Sequence, residues 1–540
     1  MYKPLIYLFS IFVLISCSTE KQQADLIITN ANIYTVNDDA PKAQSLAIKD
    51  GLFIGIGTSK EIKKQYHSDQ IINLEGKTVL PGLIDGHCHF NNLGLFMQTV
   101  DLTGTKSYNE ILDRVTVFQK EKNSSFIKGR GWDQNDWEIK EYPTKYKLDR
   151  LFPNIPIALT RIDGHALLVN QAALDLAGID ENTVVTGGEI VKKNGKITGV
   201  LVDNAMKMIS RIIPETGLEE RIQALKDAEN LCLKLGLTTV IDAGLGRYTI
   251  YLIDSLQQQC DLQIKVYAMV TASPENLDYY LKKGITKTDR LNVRSFKIYA
   301  DGALGSRGAV LKRPYSDRDG HYGAMVTSID DLANIARTLA KSDFQMNTHA
   351  IGDSANSYIL KTYAKELKSK TNRRWRIEHA QIIDPDEFDY FTEIIPSVQP
   401  THATSDMYWA EDRLGSERIK GAYAFKALLD INGRIVLGTD FPVEKVNPML
   451  TFYAAVARKD LSGYPEEGFQ MNNGLSRNET LKGMTLWAAY GNFEENEKGS
   501  IEVDKFADFV ILDQDIMQVP IDEVPNIKID GTYINGEKVY

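Results

Sequence analysis

The sequence predicts an α/β protein: a (β/α)8 TIM barrel joined to a small β-sandwich domain that is split between the two ends of the chain. Three observations predict it. Strand-like apolar runs alternate with helical stretches through the middle of the chain, and the strands number eight, which selects a closed parallel barrel over an open sheet. Short β runs broken by turns fill residues 24–80 and recur over 496–540, so that each set looks like half of one domain. Histidines stand at the ends of several of the central strands, which is where the side chains of a barrel mouth converge.

The 540 residues are 43% hydrophobic and 25% charged, an ordinary globular composition with room for one large and one smaller domain. The net charge of −10 comes with no Lys/Arg run able to track a phosphate backbone, which excludes nucleic acid as an expected partner. Residues 1–16 read as a signal peptide: Lys3 gives a positive start, and Leu5 to Ile15 form an apolar run short for a bilayer span. Its end, Leu14-Ile15-Ser16-Cys17, resembles the lipobox of bacterial lipoproteins. That resemblance implies cleavage before Cys17, lipidation of Cys17, and an exported protein anchored to a membrane, facing the periplasm or the cell surface. Residues 17–23 then serve as the lipidated cysteine and its tether. The remaining cysteines, Cys88, Cys232 and Cys260, are odd in number and unsuited to a disulfide framework.

The elements follow in order. Asp25 to Ile28, Ala31 to Val36, Ser45 to Ile48 and Leu52 to Gly57 are strand-like, with the Asp50-Gly51 turn between the last two marking a hairpin. Pro81-Gly82 punctuates the passage into a barrel over 81–495. Its strands are expected at 78–85, 238–242, 264–270, 293–299, 345–349, 374–379, 396–400 and 435–440, and helices at 218–235, 329–342, 353–367 and 416–429. An insertion after the first barrel strand, about 129–208, breaks the alternation and is expected to lie over the C-terminal face as a lid or substrate domain. The C-terminal half of the sandwich closes the chain over 496–540.

Chemistry begins at Asp85-Gly86-His87-Cys88-His89. Alternate side chains of a strand share a face, so both imidazoles can meet one point, and neutral imidazole suits zinc and related metals. Of the 8 histidines, His87, His89, His349, His379 and His402 fall at or just past strand ends. Asp440 ends the last strand. Lys297 lies within Phe296-Lys297-Ile298-Tyr299, where a free ammonium is costly to desolvate, so that it needs a partner such as Asp301 or a chemical change.

With these residues in view, the chain resembles the amidohydrolase superfamily and, within it, amidohydrolase family 3, on the branch similar to N-substituted formamide deformylases. The matching segments are 81–89, 296–307, 348–353, 376–380 and 438–442, with Arg161 to Ala166 and Gly129 to Asp133 in the insert. The resemblance implies that His87 and His89 bind one divalent metal, expected to be zinc, and His349 and His379 a second, giving one or two ions per chain. Lys297 would bridge the two as a CO2-derived carbamate, and Asp440 would bind metal and act as the catalytic base and acid. It implies hydrolysis of a C–N bond of a small amide, N-acyl or N-formyl substrate by a metal-activated hydroxide. Trp132, Asp133, His165, Asp301, Arg307 and His402 are the candidate substrate contacts, because they lie in the insert or just past strand ends; Arg307 could grip a carboxylate. A deaminase or cyclic-amide hydrolase on the same scaffold is the competing activity, and a non-catalytic solute-binding lipoprotein the competing class. A homo-oligomer is compatible with the sequence.

Overall fold

The computed structural model describes residues 21–540 apart from 163, 165, 186–187, 204, 306 and 369–371. Two expected functional positions, Cys17 and His165, therefore lie outside the described residues. Among the described residues no helix is long and apolar enough to cross a membrane.

Eight parallel strands form one sheet in chain order. They are β1 (Leu83–Cys88), β2 (Leu237–Leu245), β3 (Lys265–Thr271), β4 (Leu291–Tyr299), β5 (Gln345–Ala350), β6 (Arg376–His379), β7 (Ile395–Val398) and β8 (Val436–Leu437). Each matches one of the eight expected runs. β1, β6 and β7 are buried throughout, as strands covered on both faces must be, so the polar side chains they carry, such as Asp85, His87, Arg376 and Glu378, are buried with them.

β8 adds only two residues to the ladder, and the chain just past it completes the circle. Asp440 N donates to His87 O, and His89 N to Phe441 O, each at 2.8 Å. The buried Asp85 carboxylate fastens the seam by accepting from the Thr439 N–H at 3.0 Å and the Thr439 hydroxyl at 2.7 Å. The run expected over 78–85 divides at Gly82: Thr78–Pro81 belongs to the sandwich, and β1 starts at Leu83.

Helices at Leu218–Lys234, Ile329–Leu339 and Asp353–Leu367 agree with expectation. The helix expected over 416–429 does not form. The chain instead makes Ala410–Arg418, a 3-10 turn at Ile419–Gly421, and Phe425–Asn432. Between them the backbone pairs with the loop after β6: Ile383 N donates to Gly421 O at 3.0 Å and Tyr423 N to Gln381 O at 2.8 Å. Those groups are no longer free for helical bonds, and Tyr423 takes a φ of 53°. Apolar spacing carries no signal of such tertiary pairing.

Two sheets form the sandwich. One has four strands from residues 26–73, and the other joins Thr78–Pro81 to Phe509–Leu512 in antiparallel register. Ile28, Ile33, Leu46, Phe53, Val79, Phe509 and Tyr533 pack between them, so the core is built from both ends of the chain. A six-stranded sheet lies between β1 and β2. It opens at Val100–Asp101, ahead of the expected 129, because a two-residue strand leaves no readable run. Its faces are covered by separate apolar clusters, one containing Trp132 and Trp137 and the other Leu174 and Leu201.

Candidate metal centre

The centre is assembled at the C-terminal ends of the barrel strands. His87 is the penultimate residue of β1 and His89 lies just past its end, their rings edge to face with centroids 5.7 Å apart. Cys88, between them, points the other way, its Sγ 3.4 Å from Ile241 O, as alternation along a strand requires. Parallel register sets Tyr299, His349 and Glu378 in one row across β4, β5 and β6, with Lys297 two residues back along β4. His379 and Asp440 both take left-handed backbone conformations, φ 74° and 63°. Such strain is uncommon outside glycine and gathers where side-chain direction matters more than local stability.

Distances show how tightly these groups converge. Ring centroids of His87 and His379 are 4.9 Å apart, and those of His349 and His379 4.5 Å. Asp440 Oδ1 stands 3.1 Å from His89 Nε2 and 3.6 Å from His87 Nε2, and Oδ2 lies 3.7 Å from His402 Nε2. Lys297 is 1% exposed, and its Nζ meets His87 Nε2 at 3.1 Å. Among the described residues it has no ion-pair partner, and Asp301 is committed elsewhere, so the alternative of a Lys297–Asp301 pair does not form.

Behind these groups a further layer sets ring orientation. His87 Nδ1 contacts Glu378 Oε2 at 2.5 Å, and Glu378 Oε1 pairs with Arg376 Nε at 2.8 Å. Arg376, fully buried, also donates to Gly86 O at 2.7 Å and Ser397 Oγ at 2.9 Å. His379 Nδ1 is held by Gln399 Oε1 at 2.7 Å. This is how metal-ligating imidazoles are usually braced. Sequence reading missed Glu378, Arg376 and Gln399 as orienters; the only signal was their position in or beside strand ends that carry histidines.

Electrostatics favour ligation. Burial, helped by Lys297, pushes His87 down to about 4 and His349 to about 3, and burial beside His349 holds His379 well below its ordinary value. All three are neutral at physiological pH, with lone pairs to offer. Burial works to raise the Asp440 carboxyl, but His89, His379, His87 and His402 outweigh it and keep it ionised. Burial also brings Lys297 down to about 8, against the pull of Glu378 and Asp440. His349 Nε2, His402 Nε2 and Asp440 Oδ1 are buried without an aligned hydrogen-bond partner among the described residues. Orphaned polar atoms of this kind are rare, and bound divalent cations would satisfy them. The residues fit a metal.

Comparison with known proteins agrees with this geometry. The amidohydrolase family model matches residues 70–540. The chain belongs to the amidohydrolase family. It is 32% identical to YtcJ of Bacillus subtilis, over 94% of this chain and 98% of that one. It is 25% identical to an N-substituted formamide deformylase of Arthrobacter pascens, over 95% and 98%. A solved metal-dependent hydrolase of Pyrococcus horikoshii superposes with a TM-score of 0.76 at 28% identity, covering 92% of this chain and 99% of the other.

Within this amidohydrolase the expected substrate contacts have divergent placements. Trp132 is fully buried in the core of the inserted sheet and donates its indole N–H to Leu159 O at 2.7 Å, so it faces no substrate. Asp301 is 1% exposed and accepts from the N–H groups of Val310, Ile351 and Gly352, which makes it the anchor of the loop after β4. Arg307 already grips a carboxylate, that of Asp317 at 2.7 Å, which Arg413 also contacts. Asp133 pairs with Arg161. His402, by contrast, enters the metal centre itself.

Proposed function

We propose that this hydrolase cleaves the C–N bond of a small amide of the N-acyl or N-formyl type. The observation that carries the reading is Asp440, an ionised carboxylate buried among histidines, with one oxygen facing His87 and His89 and the other facing His402. His87, His89, His349, His379 and Asp440 would hold one or two divalent ions, and zinc suits so imidazole-rich a set. A bound divalent ion supplies a water acidic enough to yield hydroxide near neutral pH and polarises a carbonyl.

The chain's own residues do the rest. An ionised Asp440 accepts a proton from the attacking water and returns it to the departing amine, acting as base and then as acid. Glu378 and Gln399 keep the His87 and His379 rings fixed while charge builds. Lys297 gains by reaction with CO2: its neutral amine takes up CO2 and releases a proton, and a buried cation gives way to an anionic oxygen donor. The name of the Arthrobacter relative, a deformylase acting on N-substituted formamides, supports the C–N class.

The test is a panel of N-formyl, N-acyl and cyclic amides and aminopurines, assayed on the zinc-loaded protein with Asp440→Asn as control. Amine release from acyclic amides, lowered about 10²–10⁴-fold in the variant with its zinc retained, is the expected result. Turnover of aminopurines or cyclic amides alone would replace this reading with the deaminase or cyclic-amide one.

A further inference from the structure

Tyr299 ends β4 two residues beyond Lys297, and alternation along a strand turns both side chains to one face. Phe296 and Ile298 take the opposite face and pack in the main apolar core, so Lys297 and Tyr299 point into the barrel mouth. The Tyr299 ring stands beside the candidate ligands, its centroid 5.5 Å from that of His349 and 4.8 Å from Lys297 Nζ. Lys297 is 1% exposed and Tyr299 36% exposed, so the tyrosine forms the outer layer that an entering substrate meets.

The neighbouring strands let this ring lean across the mouth. β3 ends at Thr271, level with Lys297 in parallel register, one layer short of Tyr299. Beyond it, on β2, is Gly244 with φ 111°, where an added Cβ would come within 3.3 Å of the Tyr299 hydroxyl. β2 pairs with β1, the strand that carries His87. The phenol thus starts on the His349 side of the mouth and brings its hydroxyl to the β2 side, where a glycine leaves room for it. No hydrogen bond holds that hydroxyl among the described residues. Its O–H is available to a ligand.

When water attacks an amide, its oxygen bonds to the carbonyl carbon and the C=O π pair moves onto the carbonyl oxygen. A fixed donor aimed at that oxygen contributes most as the charge builds. We propose that Tyr299 is a catalytic residue: its hydroxyl donates a hydrogen bond to the carbonyl oxygen of the scissile amide, and keeps its proton throughout. The inference rests on the amide-hydrolase reading above and adds to it a donor supplied by the chain itself.

Zinc-loaded wild type, Tyr299→Phe and Tyr299→Leu are assayed for amine release from N-butylformamide and N-butylacetamide. Calorimetry follows binding of N-butyl methylphosphonamidate, a tetrahedral mimic of the attacked acetamide. Tyr299→Phe keeps the ring and loses only the donor. It is expected to lower kcat by about 10²–10³-fold with little change in KM, and to weaken the phosphonamidate by a similar factor. Bound zinc and Tm are expected to match wild type, and Tyr299→Leu is expected to be at least as impaired. The proposal is overturned if kcat and phosphonamidate affinity do not fall together in Tyr299→Phe, if the change is confined to KM, or if zinc is lost with activity. A wild type that releases no amine from either amide overturns the underlying reading instead, so the two failures are distinguishable.

Discussion

Glu378 lies beneath His87 with no exposed surface, and its charge is sustained by neighbours on both sides. Burial alone would raise its pKa; Arg376 and His87 prevail and draw it down to about 2 from an ordinary 4.5. A carboxylate depressed in the folded state contributes stability that is complete above the unfolded value and lost as pH falls toward the folded one. The Tm advantage of metal-free wild type over Glu378→Gln is therefore expected to hold above about pH 4.5 and to shrink steadily toward pH 2. A difference independent of pH across that window would show that the bracing does not depend on charge. At this scale the histidines were legible, because a titratable ring at the end of an apolar run is an unlikely filler. Glu378 was not, since an acid beside a histidine looks the same whether it ligates, braces or faces solvent. Trp132 misled for a related reason: position in an insert says nothing about which face of the inserted sheet a side chain takes.

Among elements, the seam between β8 and β1 shows how little of a strand is needed when backbone approach is close. A Cβ on Gly438 would stand 2.3 Å from His87 N and 2.8 Å from His87 O, and one on Gly86 would stand 2.4 Å from Val436 Cγ1. Both glycines admit the neighbouring strand because they carry no side chain. Gly438→Ala is thus expected to destabilise by about 1–3 kcal/mol or more and to lower metal affinity, since the strand that must retreat carries His87. Urea unfolding and zinc titration read the two effects, and a variant normal in both would mean the seam is loose. The eight strands were legible because short strand-like runs alternate with helical stretches along the chain, although β5 and β6 carry buried polar side chains. The failed helix over 416–429 was not, because its helical bonds are displaced by partners from after β6, and nothing local records them.

For the whole molecule, what unites barrel and sandwich is a buried ion pair at the opposite end from the metal centre. Lys265 begins β3 fully buried, its Nζ 2.7 Å from Asp508 Oδ2, 2.7 Å from Asn535 Oδ1 and 3.7 Å from the centre of the Phe506 ring. Asp508 and Asn535 come from the C-terminal half of the sandwich, and Asp508 O also accepts from Gly82 N at 2.9 Å, at the hinge where the first half enters the barrel. One side chain thereby ties three distant stretches of chain together. The split domain was legible from β patterning at both ends, but a lysine inside an apolar run gives no hint of where its partner lies. Removing one partner of a buried pair leaves the other charge uncompensated, so Lys265→Met is expected to cost about 3–5 kcal/mol. Adding Asp508→Leu removes the stranded carboxylate and should restore part of that loss, though not all, because Asp508 also accepts from Asn535 N at 2.9 Å. Denaturant midpoints of the single and double variants measure this, with bound zinc expected to be unchanged in both. A single variant within 1 kcal/mol of wild type, or a double variant worse than the single, would show that apolar packing rather than this pair holds the two parts together.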